Sequence, residues 1–274
     1  MNRELRTRVI TSVAAVMIVI PALILSPIGI WLFCVIVSML ALTEFFNLMG
    51  NYASRYRYVG LGLPLIFWLT ILADLLIVDG RDLGLLLKVE VVLAIPVLLL
   101  TQLYDPAERR PVEQLGKIIT AYAYILAPMY LLYDLAVPDG PPSYSFHFPL
   151  GFLLLTWGLD VAAYFTGKYM GKNPLFRRIS PKKTWEGALG GAAFCIFWGW
   201  VNTLILPIEH GNWVIVAILV SIFSQLGDLV ESMFKRSVKA KDSGGVLPGH
   251  GGMLDRFDGT FLSLPLVYFY FLLV

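Results

Sequence analysis

The segment SMFKRSVKAKDSGGVLPGHGGMLDRFD, residues 232–258, interleaves Lys235, Arg236, Lys239, Lys241 and Arg256 with Asp242, Asp255 and Asp258, and glycines break it repeatedly. Its flanks are oil: WVIVAILVSIFSQLG (213–227) before it and FLSLPLVYFYFLLV (261–274) after it. Charges this dense are costly in hydrocarbon, whereas each flank has the length and apolarity of a membrane helix. The segment therefore reads as a surface connection between two spans, and the rest of the chain has to be read against a bilayer.

Composition agrees. Of 274 residues, 58% are hydrophobic and 15% are charged, against about 25% charged in soluble domains; the mean hydropathy is +0.74. This excludes an ordinary soluble domain. Cys34 and Cys195 each lie inside an apolar run, which argues against a disulfide framework and a cysteine-ligated metal. No nucleic-acid partner is expected. Hydropathy marks about nine spans, near 8–26, 28–48, 59–78, 83–104, 115–137, 147–168, 185–207, 213–234 and 254–274. Lipid demands internally satisfied backbone, so these should be helices. The first is read as a retained span rather than a cleaved signal, because its apolar run is long and no clean cleavage site follows. Small residues in GALGGAAF (187–194) should let helices approach closely.

All of the 21 Lys and Arg residues except Arg81 and Lys88 fall at the N-terminus or in alternate connections. The positive-inside rule then places the N-terminus, and residues 232–258 with it, in the cytoplasm. The expectation is an all-α polytopic protein forming a single membrane domain, 1–274. Its helices over 1–146 would be scaffold, and helices and cytoplasmic loops over 147–274 would carry the chemistry.

Four segments in that second half resist a packing explanation: DVAAYFTGKYMG (160–171), SPKKTWEG (180–187), GDLVES (227–232) and the opening stretch. Asp228 and Glu231, three apart, share a helix face, and Asp255 and Asp258 repeat the spacing. Four carboxylates at one surface need a compensating cation or nearby Lys and Arg. Hard oxygen donors suit Mg²⁺ or Mn²⁺. A favourable helix N-terminus is an alternative account of Asp255 and Asp258. It does not serve for Asp228, which lies towards the other end of its helix. Attraction to anionic lipid accounts for Arg177, Arg178 and Lys239. It leaves unexplained why acids and cations interleave with GGVLPGHGG, whose glycines would let backbone N–H groups approach an anion. His250 could contact phosphate or simply occupy a turn. Glu44, Asp74, Lys88 and Glu90 read as structural pairing within the bundle.

These motifs match a known pattern. Ser232-x-Phe234-Lys235-Arg236, then Lys241-Asp242-x-Gly244, Leu247-Pro248-Gly249-His250-Gly251-Gly252 and Asp255-Arg256-x-Asp258 resemble the signature of the phosphatidate cytidylyltransferases, or CDP-diacylglycerol synthases. Asp160-x-x-Ala163-Tyr164-x-x-Gly167 and Ser180-Pro181-Lys182-Lys183-Thr184-x-Glu186-Gly187 look like upstream motifs of the same family. The resemblance implies that CTP and phosphatidic acid give CDP-diacylglycerol and pyrophosphate, with a divalent cation required and a second allowed. It also implies a homodimer among membrane lipids, with a catalytic C-terminal half. The metal positions carry over to Asp228 and Asp255, with Asp258 or Glu231 in support. Basic positions carry over to Lys182, Lys183, Lys235, Arg236, Lys241 and Arg256. Asp160, Tyr164 and the turn Gly249, His250, Gly251, Gly252 are expected to bind substrate. A bacterial inner membrane is the expected location. The rival readings are another CTP-dependent lipid enzyme, such as a kinase, and a cation-coupled transporter.

Overall fold

The structure is a computed structural model that describes residues 16–50, 54–76, 84–104, 110–138, 143–208, 210–245 and 251–274. Nine helical rods are present among the described residues. They are α1 (Val16–Leu25), α2 (Pro27–Leu48), α3 (Ser54–Leu76), α4 (Gly84–Leu103), α5 (Pro111–Ala136), α6 (His147–Met170), α7 (Trp185–Ile205), α8 (Trp213–Ser237) and α9 (Leu254–Phe271). Each falls within or across a segment expected to be a span. Seven of them, α2 to α8, are long and apolar enough to cross a membrane. α1 is ten residues where described, and α9 carries Asp255, Arg256 and Asp258 near its start.

Local chemistry sets the boundaries. Ser26 accepts from Ile28 N at 3.1 Å and precedes Pro27, which cannot donate to the helix it opens. Asn212 caps α8 through Val214 N at 2.8 Å, and Thr184 caps α7 through Gly187 N at 3.2 Å. Tyr122–Leu126 form a π-helical turn inside α5, a local widening often found at functional sites. Between α6 and α7 the chain makes an antiparallel hairpin, β1 (Pro174–Phe176) with β2 (Ser180–Thr184). Hydropathy carries no signal for so short a pair outside the spans.

α6, α7, α8 and α9 pack each on the next, and α2 with the second half of α5 closes against α9. α3 packs on α2, and α4 on α3. α4 has only 6% of its apolar window buried, as suits a helix facing lipid. The small residues of α7 behave as expected. A Cβ on Gly187 would lie 2.9 Å from Ala163 O, and one on Gly191 would lie 2.8 Å from Ala163 Cβ. A second close crossing joins α8 to α9. There a Cβ on Gly227 would sit 3.0 Å from Gly259 Cα and overlap Asp258 O.

Candidate active site

The Gly227–Gly259 crossing decides which acids meet. Gly227 precedes Asp228, and Gly259 follows Asp258. With both backbones in contact, the two carboxylates have to share one neighbourhood. Tyr124, in the π-helical turn of α5, reaches over the crossing, its hydroxyl 3.5 Å from Gly227 O and 3.4 Å from Asp258 O. Its ring is edge-on to Phe234 of α8 and Phe261 of α9.

The hairpin supplies the opposing charge. Glu186, at the start of α7, accepts from Lys172 N at 3.0 Å and from Asn173 Nδ2 at 2.7 Å. It thereby ties the hairpin's first strand to the helix that follows. Within β2, Lys183 is half-buried and pairs with Asp228 Oδ2, while Lys182 is exposed. Asp160, inside α6, lies in the fields of Lys183, Asp228 and Arg256. Asp258 lies in those of Asp228, Glu231, Asp160 and Lys183.

A second group lies one turn further along α8. Lys235 Nζ bonds Asp255 Oδ1 at 2.7 Å and also pairs with Glu231, which is fully buried. Asp255 Oδ2 accepts from Gly252 N at 3.0 Å and from Ser243 N at 3.3 Å. One carboxylate therefore holds a lysine with one oxygen and both flanks of the glycine-rich loop with the other. Gly251 adopts φ +84° and leaves 3.2 Å between a notional Cβ and Asp255 Oδ2. A side chain would be strained there.

The expected residues thus divide. Asp160, Lys183, Asp228 and Asp258 gather around one space. Glu231, Lys235, Asp255, Gly251 and Gly252 form the adjoining loop anchor. Glu231 is fully buried and pairs with Lys235 through Oε2, while its Oε1 has no hydrogen-bond partner among the described residues. Arg236 donates to Ala240 O at 3.0 Å, closing the end of α8. Lys241 and Arg256 are exposed at the same end of the bundle. Tyr164 is also exposed, with the Lys168 ammonium 5.8 Å from its ring. Gly249 and His250 lie outside the described residues. Among the described residues no three Asp, Glu, His or Cys side chains are already placed to grip one ion. The donor chemistry nevertheless fits a hard divalent cation. Asp160, Asp228 and Asp258 are three acids within one another's fields, and Lys183 is the ammonium that acts on them.

Sequence reasoning read Glu44 as pairing within the bundle and passed over Tyr124, both from the half expected to be scaffold. Glu44 on α2 is 2% exposed and accepts from Leu254 N, the first amide of α9, at 2.8 Å. A buried acid near the end of an otherwise apolar helix was its one visible signal.

A helical membrane bundle with one short hairpin and a two-part cluster of acids and lysines at one end defines a membrane enzyme that handles anionic, phosphate-bearing substrates. The comparisons make this specific. The model of the cytidylyltransferase family matches residues 6–274. The chain is 32% identical to a phosphatidate cytidylyltransferase of Bacillus subtilis, with 97% of each chain covered. It is 33% identical to one of Brucella suis, covering 97% of this chain and 93% of that one. The chain belongs to the cytidylyltransferase family, and it is a nucleotidyltransferase.

Proposed function

We propose that the protein makes CDP-diacylglycerol from CTP and phosphatidate at the bilayer surface. The observation that carries this reading is the gathering of Asp160, Lys183, Asp228 and Asp258 beside the Lys235–Asp255 loop anchor, at the end of an apolar bundle. A lipid headgroup and a water-soluble nucleotide can meet there.

Phosphatidate carries a phosphomonoester whose second pKa is about 6, so its oxygen is already nucleophilic at neutral pH. That oxygen attacks the α-phosphorus of CTP. The new P–O bond forms as the bond to the β-phosphate's bridging oxygen breaks, and pyrophosphate leaves with the electron pair. No base has to remove a proton. The protein has to bring two polyanions together and stabilise the charge that leaves. Lys235, oriented by Asp255 and Glu231, would neutralise nucleotide phosphates with Lys241 and Arg256. Lys183, steered by Asp228, would meet the lipid phosphate with Lys182 beside it. Asp228 and Asp258 would hold Mg²⁺ or Mn²⁺, with Asp160 in reach and Asp255 joining where Lys235 turns to substrate. When bound, the cation supplies Lewis-acid charge neutralisation on the triphosphate.

Nine spans with a cytoplasmic N-terminus, a site facing the cytoplasm, the inner membrane of a bacterium and a homodimeric state complete the reading. The Lys and Arg distribution supports the topology, the bacterial sources of the relatives support the location, and the homodimer rests on the family resemblance alone. Product analysis separates this reaction from a lipid kinase. Pyrophosphate and CDP-diacylglycerol are expected from labelled CTP, whereas a kinase would leave CDP.

A further inference from the structure

Glu44 is held more tightly against the catalytic loop than a scaffold residue needs to be. Its Oε2 accepts from Leu254 N at 2.8 Å and from Ser243 Oγ at 3.5 Å. Its Oε1 has no hydrogen-bond partner among the described residues. Glycines make the space for it on two sides. A Cβ on Gly244 would lie 2.7 Å from Oε1, and one on Gly252 would lie 2.6 Å from Oε2. Ser243 and Gly252 are the same two residues whose amides bond Asp255.

The placement has an electrostatic logic. Near the C-terminal end of α2 the helix dipole disfavours an acid, whereas the N-terminus of α9 favours one. A bond from a backbone amide to a carboxylate is also stronger than one between neutral groups. Burying a carboxylate is costly unless its partners compensate. These partners all belong to the two ends of the glycine-rich loop.

We infer that Glu44 is a positioning residue for the nucleotide half of the site. From α2 it clamps both ends of the glycine-rich loop, so that Asp255 holds Lys235 towards the CTP phosphates. The inference rests on the proposed reaction. It reassigns Glu44 from bundle packing to substrate selectivity, and it makes the N-terminal helices part of the site.

The test uses full-length protein in detergent with Glu44→Ala, Glu44→Gln and Gly252→Ala. Glu44→Ala should raise the KM for CTP about tenfold or more, the scale of one lost charge-assisted bond, and leave the KM for phosphatidate within about twofold. Glu44→Gln keeps an acceptor for Leu254 N and should recover most of that loss. Gly252→Ala presses on the carboxylate from the other side and should reproduce the CTP defect, which covers the case in which the alanine variant at 44 does not fold. On a Lys235→Ala background, Glu44→Ala should add less than about threefold, because residues acting through one another are not additive. Equal rises in both KM values, or full additivity with Lys235→Ala, would overturn the inference. Trypsin cleavage after Lys239 and Lys241 without substrate reads the clamp itself and should quicken in Glu44→Ala. Unchanged cleavage would overturn the clamp even in a protein that turned out to have a different substrate. Absent turnover of CTP and phosphatidate by the unaltered protein would instead defeat the proposed reaction.

Discussion

Among single residues, the proposed reaction leans most directly on Asp228 and Lys183. Each is the other's ion-pair partner, so removing either leaves a partly shielded charge facing the substrates. Asp228→Asn should lower turnover by about 10²–10³-fold, the usual scale for losing one preorganised electrostatic group. Lys183→Ala should fall in the same range, whereas Lys182→Ala, on the exposed face of β2, should cost about tenfold or less. Steady-state rates in detergent check the ordering, and equal losses for the two lysines would contradict the split. The sequence made the residue types legible, because a run of Lys, Asp and Gly between apolar flanks has few structural uses. It did not reveal that Lys182 and Lys183 diverge. That depends on a five-residue strand whose placement is set by its irregular pairing with β1. Nor did it expose Glu44, whose partners Ser243 and Leu254 lie about two hundred residues away in the chain.

Among elements, the crossing of α8 and α9 and the hairpin decide the geometry. A Gly227→Ala change drives a methyl into the backbone of α9 at Asp258 and Gly259. Overpacking of this kind costs about 1–3 kcal/mol. Here it should also separate Asp228 from Asp258. Thermal unfolding in detergent should show a modest loss of stability, with an activity loss at least as large as that of a Tyr124→Phe control. A stable variant with full activity would mean that the crossing does not set the site. The hairpin has a separate attachment. Glu186→Ala should free residues 172–173 from α7, raising the KM for phosphatidate more than that for CTP. The long apolar helices were legible because a hydrophobic run is a local signal. Which helices touch was not, except where GALGGAAF announced a close approach, because in lipid every apolar face can satisfy itself against neighbouring helices or acyl chains.

At the scale of the molecule, one end of the bundle collects the chemistry. The ends of α2, α5 and α8 meet around a cavity of about 270 Å³ lined by Phe45, Met49, Lys117, Phe234 and Ser237, among others. The loop anchor and the hairpin stand at that same end. A cytoplasmic location for it predicts that a cysteine introduced at Arg236 reacts with a membrane-impermeant thiol reagent only in inside-out vesicles. Cys34 and Cys195 are fully buried, so they should not obscure the result. Labelling from the outside would reverse the topology. The most direct measurement of the central claim is product formation by purified protein supplied with CTP, phosphatidic acid and Mg²⁺, with Asp228→Asn alongside and a chelator as a further control. Pyrophosphate and CDP-diacylglycerol should appear in equal amounts, need all three components and collapse in the variant. CDP with a phosphorylated lipid, or no nucleotide turnover by protein shown to be folded, would contradict it.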